Sequence, residues 1–171
     1  MDDFNDLMFG PDRANPDAIC EFIRGVPDTY ERPHLFLNWA EEVGAGIAFW
    51  PIITRLWPRF DGIPHEKFAE LFHIFWRWRP PITGLPKRLK VWRGQEADEK
   101  LGLSWTTDII VAKEFAGRDG RARNPVLLEM WVTPTKVAFL SNDREEEEVV
   151  LRAIPASDRV KCHVIREPKY G

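Results

Sequence analysis

Along the first half of the chain, apolar residues return every three or four positions; from about residue 89 they alternate with polar ones or gather in short runs. That change marks a passage from helices to strands. Asn15 and Pro16 supply a cap and a first turn, Ile19, Phe22 and Ile23 fall on one side, and Gly25 and Pro27 stop the segment. The pattern predicts a helix over 16–24. A second helix is expected over 33–43, with Leu35 or Phe36, Trp39 and Val43 on its apolar side and Gly44 closing it. Ile47, Trp50, Ile52, Ile53, Leu56 and Trp57 keep helical spacing, but Pro51 and Pro58 interrupt them and predict a break or restart at Pro51. The clearest amphipathic stretch covers 64–78, where Phe68, Leu71, Phe72, Phe75 and Trp76 oppose Glu66, Lys67, Glu70 and His73 before Pro80 and Pro81. An aromatic stripe at that spacing reads as core.

The second half reads differently. Residues 90–93 form an expected strand ended by Gly94, 103–107 a second, and Asp108 caps a helix through Ala112 and Phe115 to Gly117. After a polar loop over 118–124, strands are expected at 125–132, 136–140 and 160–165, with a turn at 133–135. Between the last two stands Arg144-Glu145-Glu146-Glu147-Glu148-Val149-Val150-Leu151. Val-Val-Leu belongs in a sheet and glutamate does not. If the strand begins by Glu146, then Glu146, Glu148 and Val150 share one face, with the two carboxylates roughly 7 Å apart; the competing reading is a solvated acidic edge. The chain is thus α+β, expected as a single domain with a helical part over 1–86 and a mixed or antiparallel β-rich part over 87–171.

Composition narrows the function classes. A length of 171 residues suits one domain, and a net charge of -3 with a pI near 5.8 argues against a strongly basic nucleic-acid footprint, so a nucleic-acid partner is not expected, while local basic patches stay open. Cys20 and Cys162 stand far apart, and His34, His65, His73 and His163 lack ligand spacing, so neither a disulfide framework nor a metal is expected. The acidic opening and the lack of an apolar run of ~18 residues predict a cytoplasmic protein without a leader or membrane segment. Eight tryptophans and eleven phenylalanines imply either an aromatic core or an exposed partner surface.

Three motifs follow one another: Val91-Trp92-Arg93-Gly94; Leu103-Ser104-Trp105-Thr106-Thr107 with Ala112 and Phe115-Ala116; and Glu146-Glu147-Glu148-Val149. In this order they resemble the arginine-serine-glutamate, cholera-toxin-like class of mono-ADP-ribosyltransferases, over about residues 89–151. The resemblance implies an ADP-ribosyltransferase-type NAD-binding core. It also implies transfer of ADP-ribose from NAD to a protein acceptor, arginine among the candidates, with release of nicotinamide and no metal; a toxin or phage effector would have this activity. Breaking the nicotinamide–ribose bond builds oxocarbenium-like charge, which a carboxylate stabilises. By resemblance Glu148 takes that role and Glu146 prepares the acceptor. Arg93, with Gly94 beside it, would bind phosphate or ribose, since its planar fork suits anionic oxygens, and Ser104 and Thr106 would hold the site. Trp105 is either a nicotinamide-stacking ring or core, and Arg121, with Arg118 and Arg123, either contacts pyrophosphate or lies in a solvated basic loop.

Two departures bear on this. The turn between Leu140 and Glu146 is short and lacks an aromatic residue, which reduces the segment that recognises the target. Four consecutive glutamates leave the register open by one residue, and Val149 directly after Glu148 favours the Glu146/Glu148 pair. Two other functions compete: an NAD glycohydrolase, in which water replaces the acceptor, and a non-catalytic module that binds a partner through its aromatic helices.

Overall fold

The computed structural model describes residue 10 and residues 13–117, 124–142 and 147–165. Its contacts gather in two units, Met1–Pro81 and Ile82–Gly171. No helix among the described residues is long and apolar enough to cross a membrane.

The first unit is helical. Helix α1 (Pro16–Gly25) starts as expected: the Asn15 side chain accepts a hydrogen bond from the Asp17 amide at 3.0 Å, and Pro16 fills the first turn. Helix α2 (Glu31–Val43) begins two residues earlier than its pattern suggested and ends on Gly44, whose φ of 63° is the left-handed conformation a helix terminus favours. Helix α3 (Phe49–Leu56) is not broken at Pro51. Pro51 sits in its first turn, where an amide has no acceptor within the helix and proline costs no hydrogen bond. Helix α4 (His65–Ile74) is shorter than the 64–78 predicted, because the chain tightens into a 3-10 turn at Trp76–Trp78.

These helices meet through aromatic rings. Phe36 stacks on Phe68 with centroids 5.8 Å apart, and Phe49 on Phe75 at 4.5 Å. Trp39, Trp50 and Trp57 are fully buried beside them. A buried indole must still satisfy its N–H. Trp39 donates to the Arg13 carbonyl at 2.8 Å and Trp50 to the Phe75 carbonyl at 2.9 Å. The aromatic stripe of α4 is therefore core, each ring contributing roughly 1.5–3 kcal/mol through burial.

The second unit is a six-stranded sheet in the order β4-β5-β2-β1-β3-β6, antiparallel at every pair. The strands are β1 (Leu89–Glu96), β2 (Ser104–Thr106), β3 (Pro125–Val132), β4 (Val137–Ser141), β5 (Glu148–Leu151) and β6 (Lys161–Val164). The described chain is thus α+β, with helices followed by an antiparallel sheet. Strand β1 pairs with β3 over its whole length, from Leu89↔Val132 to Glu96↔Pro125. Pro125 is tolerated there because it opens β3.

Gly94 was expected to end β1, yet the strand runs through it. Helix α5 (Ile109–Gly117) lies across β1, β2 and β3. A Cβ on Gly94 would stand 1.8 Å from the Ala112 carbonyl oxygen and 2.6 Å from the Ala116 amide nitrogen. Ala112 and Ala116, one helical turn apart and both buried, leave room for that approach. The glycine is a contact point between sheet and helix. Thr106 and Asp108 aim the helix: the Thr106 hydroxyl accepts from the Asp108 amide at 3.0 Å, and the Asp108 carboxylate from the Ile110 amide at 2.7 Å.

On the same face of the sheet as Gly94, Glu129 of β3 gathers basic side chains from two neighbouring strands. Lys90 Nζ is 3.1 Å from its carboxylate, and Lys161 Nζ and His163 Nε2 are each 3.6 Å away. The hydrogen bond from Lys90, helped by the Lys161 and His163 charges, holds the Glu129 carboxyl below its ordinary value.

Gly94→Ala is expected to lose about 3 kcal/mol or more of stability, because the clash is with backbone and no side chain can move aside; urea unfolding of both forms measures it. A depressed carboxyl pKa contributes stability that is present above the unfolded-state value and is lost as pH falls through the folded one. Unfolding midpoints followed into the acid range should therefore fall more steeply for the native chain than for Glu129→Gln.

Candidate functional site

The three sequence motifs come to lie on adjacent hydrogen-bonded strands. Arg93 is on β1, Ser104 on β2 and Glu148 on β5, and β2 lies between the other two. Register sorts them by face. Trp92 is opposite Thr106, Thr106 opposite Glu148, and Glu148 opposite Ser141, so these four residues form one row across four strands. Ser104, paired with Val150, shares that face as a diagonal neighbour of Glu148, about 7–8 Å away.

Arg93 emerges on the other side of β1, since Trp92 and Gly94 occupy the first face. Its guanidinium nevertheless crosses the seam between β1 and β2. Nη1 donates to the Ser104 carbonyl at 2.8 Å and Nε to the Gln95 side-chain oxygen at 2.7 Å. Gln95 is buried and is itself fixed by donating to the Glu96 and Glu99 carbonyls. Burial pushes the Arg93 guanidinium below the ordinary arginine value, against the opposing pull of Glu99 and then Glu148. A guanidinium stays protonated through such a shift, so a fixed positive charge stands at the strand seam within electrostatic reach of Glu148.

Glu148 is the first residue of β5, and the residue before it sets its position. Glu147 has φ 43°, a left-handed conformation that costs a glutamate energy. Two contacts hold it there: the Thr107 amide donates to the Glu147 carbonyl at 3.2 Å, and the Thr107 hydroxyl donates to the Glu147 carboxylate at 2.5 Å. With Glu147 so engaged, the chain enters β5 with Glu148 on the Thr106 face. That favours Glu148 over Glu147 in the choice of register.

A pocket of about 380 Å³ opens at this corner. Leu85, Leu89, Leu140 and Val149 give it an apolar lining, and Thr107, Ser141, Asn142, Glu147 and Glu148 supply its polar groups. Glu148 lines it; Arg93 and Ser104 do not.

The other expected site residues divide. Gly94 faces α5, whose backbone fills the space a ligand would need, so its role is packing rather than cofactor contact. Trp105 is 2% exposed and donates its indole N–H to the Gly102 carbonyl at 3.0 Å, which makes it core rather than a stacking ring. Thr106 is buried and caps the approach to α5. Arg121 and Glu146 lie outside the described residues. Among the described residues, no three His, Cys, Asp or Glu side chains are placed to hold a metal ion.

Gln95, Glu99, Thr107 and the apolar lining of the pocket were not foreseen. Gln95 was within reach of sequence reasoning: had β1 been continued past Gly94, alternation would have put it beside Arg93 on the same face. Thr107 carried no such signal, because its partner Glu147 is forty residues away. No protein-family model, curated protein or solved structure matches the chain.

Arg93→Ala is expected to lose about 1–3 kcal/mol, since the Ser104 carbonyl and the Gln95 oxygen lose their donor in a part-buried place. Arg93→Lys should recover only part of this, because one ammonium on a flexible stem does not reproduce the two directed bonds. Chemical denaturation of the three proteins ranks them.

Proposed function

We propose that the chain is a mono-ADP-ribosyltransferase, with an ADP-ribosyltransferase-type core, that moves ADP-ribose from NAD to a protein acceptor and releases nicotinamide. The observation that carries this reading is the adjacency of β1, β2 and β5, which puts Arg93, Ser104 and Glu148 on neighbouring strands, with Glu148 lining a pocket. Separately each motif is ordinary; on neighbouring strands they make a place where anionic oxygens and a developing cation find opposite charges.

In the proposed reaction the bond between ribose C1′ and the nicotinamide nitrogen breaks, and nicotinamide leaves with the bonding electrons. Positive charge spreads over C1′ and the ring oxygen, and Glu148 stabilises it. The Arg93 guanidinium, on the opposite face of the sheet, contributes its charge across the seam and holds the Ser104 strand in place. An acceptor nitrogen then bonds to C1′ and gives its proton to Glu146. For a guanidinium acceptor this step depends strongly on a carboxylate, because the group is protonated at neutral pH.

Hydrolysis of NAD is the second reading. Only residues 142–147 connect β4 to β5, and within them Glu147 is committed to Thr107, which leaves little chain to recognise a protein target. The aromatic-helix binding module loses ground, because Phe36, Trp39, Phe49, Trp50, Trp57, Phe68 and Phe72 are buried.

Incubation with labelled NAD separates the readings. Labelled protein with free nicotinamide supports transfer, nicotinamide alone supports hydrolysis, and neither product removes both. Glu148→Gln is expected to lower nicotinamide release at least about a hundredfold with the fold retained; near-normal release by the folded variant would exclude Glu148. Glu146→Gln should depress protein labelling more than nicotinamide release, since water needs less orientation than a guanidinium. Equal fractional losses in both activities would remove its acceptor role.

A further inference from the structure

The face of the sheet that carries Glu148 continues across β1 and β3 into a surface of aromatic and cationic side chains. Lys90 is opposite Trp131 and Trp92 opposite Glu129, so all four share this face. Trp131 is 55% exposed. Lys90 Nζ stands between the two indoles, 4.7 Å from the Trp92 centroid and 5.7 Å from that of Trp131. The Arg88 guanidinium lies 5.2 Å from the Trp131 ring. Across β3, the exposed Lys161 and the half-exposed His163 flank Glu129. The strip thus carries three cations, Lys90 and Lys161 at the Glu129 carboxylate and Arg88 at the Trp131 ring, against that one carboxylate.

We propose that this strip binds single-stranded nucleic acid, with successive bases on Trp131 and Trp92 and the phosphate between them on Lys90. Diagonal cross-strand positions such as these lie about 7–8 Å apart, which gives each ring its own base and leaves the linking phosphate in the middle. That is where the ammonium stands. Indole faces accept any base, and the cations meet a charge that every nucleotide repeats, so the strip selects single strands without reading their sequence. A duplex keeps its base faces inside the stack and gains only the cation contacts. Glu129 positions Lys90: its hydrogen bond holds the ammonium between the rings. The cation contacts make the binding sensitive to salt.

Fluorescence anisotropy of a labelled oligothymidylate, titrated with the full chain at low salt and without NAD, tests the proposal. Binding should weaken with salt at a logarithmic slope of about -2, as expected for three cations on a single strand. Trp131→Ala should weaken it about tenfold or more, while Trp131→Phe keeps most of it. Lys90→Gln should weaken binding and flatten the salt slope. Circular dichroism of each variant checks the fold. No binding at low salt, equal affinity for the duplex with oligoadenylate, or full affinity in folded Trp131→Ala would overturn the proposal. Displacement of the strand by NAD would also overturn it, by making the strip part of an NAD site. Because strand binding is measured without NAD, its failure and a failure of NAD cleavage are told apart.

Discussion

The close approach of the α5 backbone to Gly94 is the constraint on which the β-rich unit depends. A helix can sit that low on a sheet only where the strand offers no Cβ and the helix offers alanine, as at Ala112 and Ala116. Once α5 is seated, the short strand β2 that feeds it is fixed beside β1, and Thr106 and Asp108 set the angle of entry. Strand β5 then pairs with β2, and Glu148 has one place to stand. Arg93, the residue before this glycine, is turned to the opposite face by the same geometry, and only its long side chain lets it reach back across the seam to β2.

Polar groups near the site are held by one another. Gln95 orients Arg93 and is oriented by two carbonyls; Thr107 holds Glu147 in a conformation it would not adopt alone. In a part-buried setting each such bond matters mainly through the cost of leaving its partner unpaired.

The helical unit meets a different demand. Its helices are short, from eight residues in α3 to thirteen in α2, and segments of that length are marginal by themselves. Large rings compensate, because each covers much apolar area from a single backbone position. The indoles add direction, since a buried N–H must find a carbonyl, and Trp39 and Trp50 each find one across the fold. Arg32 acts similarly from the surface, donating to the Arg24, Val26 and Arg59 carbonyls.

What depends on neighbours within a few residues was written in the sequence. The Asn15 cap, the Gly44 stop, the Asp108 start of α5 and the change from helix to strand near residue 89 rest on spacing and capping over one turn, and they stand where the pattern put them. Alternation placed Val149 and Leu151 in the core correctly, but Val150, on the glutamate face, is fully buried as well, which spacing alone did not foretell. Gly94 misled for the same reason: locally a glycine ends a strand, and only the helix pressing on it explains why this one does not. Strand order, the row from Trp92 to Ser141, the reach of Arg93 to Ser104 and the place of Lys90 between two indoles all join residues far apart in the chain. Register across a sheet follows from where each strand's buried face finds its complement, and that is a property of the folded surface as a whole. Tertiary structure alone decided it.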